Sequence, residues 1–113
     1  MKPSFSNLLA SRLPFPGLAA WAARWPDRTL AHQSYVAWLE ASQTLQAFNY
    51  LLLGIESVQQ RQIEPKRMNW WLEHVSVHLV LRPDGGCLAL FLTNNPDLPR
   101  EAAEAVLTEF LNT

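Results

Sequence analysis

Residues 34–59 read SYVAWLEASQTLQAFNYLLLGIESVQ, a stretch without proline and with one late glycine, Gly54. Alanine, leucine, glutamine and glutamate dominate it, and these residues favour the α-helix. Ser34 suits the N-cap position because its hydroxyl can accept a hydrogen bond from a free backbone N–H of the first turn. The stretch therefore predicts one long helix that runs from Ser34 to about Gln59.

The predicted helix carries more apolar surface than a single contact covers. One stripe has the spacing of a core-facing helix and contains Trp38, Leu45, Phe48, Leu52 and Ile55. A second apolar group lies outside this stripe and contains Leu39, Tyr50, Leu51 and Leu53. Since a small domain covers only one side of a helix with its sheet, the other side predicts a partner, and a second copy of the chain is the simplest one.

Gly54 interrupts this pattern and has two interpretations. It either ends the helix as a C-cap or lets two helix backbones approach closely. Ile55 and Val58 continue the apolar pattern beyond it, which favours the close approach.

The composition narrows the class of protein. A chain of 113 residues predicts one domain over residues 1–113. Its formal net charge of −1, without a basic block, gives nucleic-acid binding no electrostatic support.

One cysteine, Cys87, cannot form an internal disulfide and suits a reducing cytosol. The first residues lack the apolar core of a signal peptide, and no apolar run reaches the roughly 20 residues that cross a bilayer. We therefore expect a cytoplasmic protein that does not insert into membranes.

The segments before the long helix predict a short helix and a hairpin. Residues 4–13 have helical spacing, and two prolines end that helix. Residues 18–25 and 29–33 predict two strands joined by a proline-containing turn. The first of these strands is rich in alanine, so another element is expected to pack closely on it.

The segments after the long helix predict three strands and a final helix. Strand patterns occupy residues 68–74, 75–81 and 87–92, and a glycine-containing hairpin turn lies at 82–86. The last strand is apolar on both faces, which predicts a central position in the sheet. The final helix has a buried stripe of Ala103, Val106, Leu107 and Phe110. The order α-β-β-α-β-β-β-α predicts an α+β fold, a sandwich with a central antiparallel five-stranded sheet.

Two adjacent tryptophans, Trp70 and Trp71, begin this meander. Neighbouring side chains on a strand point to opposite faces, so both faces of the strand need cover. At roughly 25 cal/mol per Å², leaving a large aromatic side chain exposed costs on the order of several kcal/mol. The pair predicts a strand at the centre of a sheet shared by two subunits. The alternative is that both rings pack within one subunit.

Few residues suggest chemistry. His74 and His78 would lie about 13 Å apart on a strand, too far to hold one metal, and are expected to be ordinary half-exposed histidines. Cys87 heads an apolar strand and is expected to be a buried thiol rather than a nucleophile. The charges of the connector at residues 59–67 are expected to be solvated, namely Arg61, Glu64, Lys66 and Arg67. We predict no catalytic residue, no metal site and no cofactor.

Three quoted segments together resemble the roadblock / dynein light chain family. They are LPFPGLAAW at residues 13–21, the long helix from Ser34, and WWLEH at 70–74 with RPDGGCLAL at 82–90. The resemblance spans about residues 8–112 and implies a profilin-like sandwich. The family often has Asp-Gly in its first hairpin, where this chain has Pro26-Asp27-Arg28.

The resemblance also implies a function. Members of the family are non-catalytic homodimers, in which the long helices pair and the strand after each helix pairs with its counterpart. Many are scaffolds or regulators of a Ras-like small GTPase, and others belong to larger assemblies. The dimer interface is then expected to contain Trp38, Leu45, Phe48, Leu51, Leu52, Ile55, Trp70 and Trp71.

Two other interpretations remain open. One is a small secretion-chaperone-like homodimer that binds an extended client, although such proteins usually have three strands before the middle helix. The other is a small-molecule sensor on a profilin-like scaffold, which would need a pocket with convergent polar groups.

Overall fold

The computed structural model describes residues 3–95 and 100–112, with side chains from Asn7 onward. Its elements follow the predicted order. They are α1 (Pro3–Arg12), β1 (Leu18–Arg24), β2 (Leu30–Ser34), α2 (Ala41–Gln59), β3 (Arg67–Trp71), β4 (Val75–Leu81), β5 (Cys87–Thr93) and α3 (Glu101–Leu111). The predicted α+β class is confirmed. Within the described residues, no helix is both long enough and apolar enough to span a bilayer.

The five strands form one antiparallel sheet in the order β2-β1-β5-β4-β3. β5 lies at its centre, and all of its residues except Thr93 are buried. The central position predicted from its apolar sequence is therefore confirmed. β2 and β3 lie at the two edges.

The sheet has a core on each face. α2 covers one face, where β4 and β5 contribute alternate residues that include Val77, Leu79 and Phe91. α1 and α3 cover the other face, where Leu88, Leu90 and Leu92 pack. The stripe predicted on the last helix is confirmed there, because Ala103, Val106, Leu107 and Phe110 are all buried.

Alanines of β1 lie beneath α2. Ala19, Ala20 and Ala22 are fully buried in the same core as Phe48 and Ile55 of the helix. Because alanine extends no further than Cβ, the large side chains of α2 can pack directly on this part of the sheet. The close packing expected from the alanine-rich strand is confirmed.

The start predicted for the long helix is wrong. Ser34 belongs to β2, where it pairs with Ala20, and the next residue continues the sheet because Tyr35 N–H donates to Ala19 C=O at 2.9 Å. The Ser34 hydroxyl donates to carbonyls of the loop that follows rather than capping a helix. Glu40 is the N-cap, and its N–H donates to the Gln43 side chain at 2.8 Å.

The hairpin turn between β4 and β5 forms as predicted. Arg82 N–H donates to Gly86 C=O at 2.8 Å, and Asp84 accepts from Gly86 N–H at 2.8 Å. Gly85 has a φ of +93°, which residues with a Cβ rarely adopt.

Gly54, in contrast, lies within α2, so the C-cap interpretation is wrong. The close approach of a second helix at Gly54 stays a prediction.

We expect Gly85→Ala and Gly54→Ala to change the free energy of unfolding in opposite directions. A Cβ would meet no atom within 4 Å at either site, so steric clashes do not separate the two variants. Gly85→Ala should destabilise by about 1–2 kcal/mol because of its positive φ, whereas Gly54→Ala should stabilise by roughly 0.5–1 kcal/mol within a helix. Urea denaturation of the monomeric chain, at a concentration too low for self-association, measures both, since a second helix close to Gly54 would add a steric effect of its own. Equal signs would contradict the backbone argument.

Candidate functional site

The side of α2 that faces away from the sheet has the composition of an interface. Tyr50 is 67% exposed and Leu53 is 60% exposed, one turn apart on the helix. With Ser42, Leu45, Gln46 and Asn49 they line a shallow depression of about 250 Å³, and we call these six residues the outer face of α2. Residues 41–55 contain no charged side chain. A solvent-facing helix surface is normally rich in charge, so this one has the character of a contact surface.

The residues predicted at a dimer interface divide into two groups. Phe48, Leu52 and Ile55 pack inside the subunit's own core on the sheet. Their burial is accounted for within one subunit, so other residues must form the surface that is open to a partner. The remaining members of the predicted set keep some exposure: Trp38, Leu45, Leu51, Trp70 and Trp71.

β3 has an open backbone edge. Leu72 N–H donates to Val75 C=O, and Lys66 C=O accepts from Leu81 N–H, both at 2.9 Å. Even-numbered residues of this segment therefore direct their N–H and C=O groups toward β4. Because these groups alternate along a strand, those of Arg67, Asn69 and Trp71 point away from β4. They offer hydrogen bonds to an additional strand.

The adjacent tryptophans lie on opposite faces of β3, as predicted. Trp70 is half-buried and packs against the core beneath α2. Trp71 is 67% exposed on the α3 side, with its ring edge-to-face against His78 at 6.0 Å between centroids. One subunit therefore covers one indole and leaves the other largely in solvent.

Trp38 lies in the loop before α2 and not on a helix. Its side chain is 53% exposed, and its ring meets the His74 ring edge-on at 6.3 Å between centroids. His74 itself lies in the turn between β3 and β4. The placement of Trp38 in a helical stripe was wrong because the helix starts three residues later, at Ala41.

A polar network joins β3 to α3. Arg67 donates from Nη1 and Nη2 to the two carboxylate oxygens of Glu104, each at 2.7 Å. Arg67 is exposed, as predicted, but it begins β3 instead of belonging to the connector, and its charge is paired. A bidentate pair of this kind fixes the relative orientation of the two side chains and also contributes to stability. The pair attaches the open edge strand to the helix that covers the neighbouring strands.

His78 of β4 lies within this network. It is only 4% exposed, so the expectation of a half-exposed histidine was wrong. Its Nδ1 lies 3.1 Å from Asn69 Oδ1, and its Nε2 lies 3.2 Å from Arg100 Nη1. Nδ1 also lies 3.3 Å from Arg67 Nη2, and Nε2 also lies 3.0 Å from Ser76 Oγ. A guanidinium can only donate, so a ring nitrogen that pairs with Arg67 or Arg100 accepts and carries no proton. This arrangement requires a neutral ring.

The electrostatics of the network favour that neutral ring. Burial, together with the nearby guanidinium groups of Arg67 and Arg100, lowers the pKa of His78 below its usual 6.5. The hydrogen bonds from Arg67 hold the pKa of the Glu104 carboxyl below its usual 4.5. A proton on His78 would add a third positive charge beside the two arginines.

Cys87 is a buried thiol, as predicted. Burial raises its pKa to about 12, so the thiol is protonated at neutral pH. Within residues 3–95 and 100–112, no group of three or more His, Cys, Asp or Glu side chains is placed to hold a metal.

Comparison with solved structures identifies a protein of the same fold. Myxococcus xanthus MglB superposes with a TM-score of 0.56 and 11% sequence identity, covering 99% of this chain and 90% of that one. This match confirms the fold that the resemblance to the roadblock family implied. At this identity the likeness concerns the fold alone. No family model matches the sequence. No curated protein matches it either.

We expect the unfolding free energy to fall as the pH drops below 6.5. The pKa of His78 is lower in the folded chain than in the unfolded one, so the unfolded state binds the proton first. The contribution of the neutral ring is complete above pH 6.5 and is lost as the pH falls through the folded-state pKa. Glu104 adds a second loss below about pH 4.5 because its folded-state pKa is also lowered.

Denaturant titrations between pH 7.5 and 4 measure this dependence, with a limiting slope of about 1.4 kcal/mol per pH unit for one proton. His78→Gln should flatten the upper part of the curve. His74→Gln, which alters an exposed ring in a turn, is the matched control for the substitution and should not reproduce the flattening expected of His78→Gln. An unchanged slope in His78→Gln would contradict the assignment.

Proposed function

We propose that this chain is a non-catalytic homodimeric module that binds a Ras-like small GTPase or a larger assembly. The observation that carries the proposal is the outer face of α2, which is uncharged and exposes Tyr50 and Leu53. The open edge of β3 supports it with a second kind of contact, because this strand can pair with its counterpart in another copy. The fold shared with MglB is consistent with such a module and gives the proposal its family context.

The free backbone groups of β3 favour one register for strand pairing between two copies. They belong to Arg67, Asn69 and Trp71, and Asn69 is the middle residue. In an antiparallel pair related by a two-fold axis, placing Asn69 opposite its own counterpart uses every outward group of both strands. Shifting the strands in either direction leaves some of these groups unpaired. The same register sets Trp71 opposite the second copy's Arg67, a pairing that permits a cation–π contact.

A cysteine at position 69 should crosslink the two copies. In this register the two Cα atoms would be about 5.5 Å apart, which is within the range of about 4.4–6.8 Å that a disulfide spans. We expect Asn69→Cys to give a dimer on non-reducing gels under mild oxidation. The native Cys87 does not interfere because its thiol is buried and its pKa is raised to about 12.

Gln33→Cys is the matched control for this experiment. Gln33 is exposed on β2, the strand at the opposite edge of the sheet, and should give no disulfide-linked dimer. Equal crosslinking of both variants would indicate random collision. The absence of a dimer with Asn69→Cys would reject the proposed register.

Leu53→Asp should separate the dimer into monomers. Burial of one leucine contributes about 1.5–3 kcal/mol, and a two-fold dimer loses one leucine from each copy, so the substitution should weaken association by roughly a hundredfold to ten-thousandfold. The fold should survive because the side chain is 60% exposed in one subunit. Analytical ultracentrifugation across a dilution series measures the dissociation constant. A wild-type chain that is monomeric at micromolar concentration would refute the homodimer.

Leu111→Asp is the control for introducing a carboxylate in place of an exposed leucine. Leu111 is 41% exposed and lies at the end of α3, on the sheet face opposite α2, so this variant should remain dimeric.

The same pair of variants tests the partner. Purified Ras-like GTPase from the source organism, loaded with GDP or a GTP analogue, should bind wild type and Leu111→Asp more tightly than Leu53→Asp. If the GTPase binds none of the three proteins, it is rejected as the partner. The homodimer would then act on a larger assembly.

A further inference from the structure

A cleft of about 940 Å³ opens at the end of the sheet where β1 ends and β5 begins. The last turn of α2, the end of α3, the β4–β5 turn and the segment before β3 all contribute to its lining. Its volume lies within the range of small-molecule sites. No residue of the predicted dimer interface or of the outer face of α2 lines it, so the cleft is a separate surface.

Three cations from separate segments line this cleft. They are Arg24 at the end of β1, Arg28 in the turn that follows and Lys66 just before β3. Arg24 Nε donates to Gly85 C=O at 3.2 Å, which orients its guanidinium at the cleft. Across the described side chains, none of the three has a carboxylate oxygen within 4.0 Å. Their charges are therefore open to an external anion.

Arg82, which also lines the cleft, has a different role. It is 6% exposed, donates to Asp84 at 2.7 Å and stacks over the Phe110 ring at 5.5 Å. Its Nη1 also approaches the Phe110 carbonyl near the end of α3, at 3.4 Å. These contacts compensate the charge of Arg82 within the fold, so we do not include Arg82 among the residues that would bind a ligand.

Two carboxylates, Glu56 of α2 and Glu64 of the connector, line the same cleft. Neither has a cationic nitrogen within 4.0 Å among the described side chains. Opposite charges thus share the cleft without pairing to each other. A ligand that suits it has an oxyanion for the cations and a hydroxyl or amine donor for the carboxylates.

We propose that this cleft binds a small phosphorylated molecule. Arg24, Arg28 and Lys66 hold the phosphate, and Glu56 and Glu64 accept hydrogen bonds from donors elsewhere on the ligand. Two arginines favour a phosphate over a single carboxylate because each guanidinium can bind two of its oxygens. The size of the cleft fits a small molecule better than an extended macromolecular contact.

Titration with inorganic phosphate, followed by backbone amide NMR, tests the site on the full chain, with sodium chloride at matching ionic strength as the reference. Phosphate should give saturable shifts at the amides of Gly85 and Gln60, which lie in the cleft. Lys66→Gln and Arg24→Gln should each weaken binding by about tenfold or more, since each removes a charge-assisted hydrogen bond. Lys66→Gln keeps the test valid if Arg24→Gln fails to fold, because Lys66 is exposed.

Arg61→Gln is the matched control, with the same change in charge on an exposed side chain outside the cleft. It should bind phosphate as wild type does. Weakening equal to that of Lys66→Gln would indicate a general charge effect and overturn the site. Shifts with phosphate that match those with chloride would overturn it as well, as would binding to phosphatidic acid vesicles without binding to inorganic phosphate.

Discussion

The packing of α2 on the alanines of β1 is the contact that the rest of the structure depends on. Ala19, Ala20 and Ala22 let Phe48 and Ile55 of the helix reach the sheet directly. This commits one face of α2 to the core and orients the opposite face outward. α1 and α3 occupy the other face of the sheet, and the outer face of α2 and the backbone edge of β3 are among the surfaces that remain exposed.

Strong local patterns made most of the fold predictable. The alternation in β4, the apolar run of β5 and the stripe of α3 each identify an element within a few residues. The start of α2 was not predictable in this way. Ser34 has the chemistry of an N-cap, but its pairing with Ala20 in β2 determines its structure. A long-range strand pair overrides a local preference here, because the sheet satisfies the same backbone groups.

The polar network and the basic cleft lay beyond sequence reasoning for a common reason. Arg67 and Glu104 are 37 positions apart, and only the folded topology shows that the edge strand passes beside the last helix. One sequence pattern did indicate a polar surface on β3. Polar residues at 67 and 69 alternate with Met68 and Trp70, as expected for a strand with one solvent-exposed face. The lining of the cleft comes from segments scattered along the chain, so no motif could mark it.

The absence of charge from residues 41–55 has a thermodynamic consequence for any association through the outer face of α2. Salt screens interactions between charges, and this surface has none to screen, so its affinity should vary little between dilute and physiological buffer. Removing Tyr50 and Leu53 from water instead gives a negative heat-capacity change, the signature of apolar burial. The affinity of association through this surface would then depend more on temperature than on ionic strength.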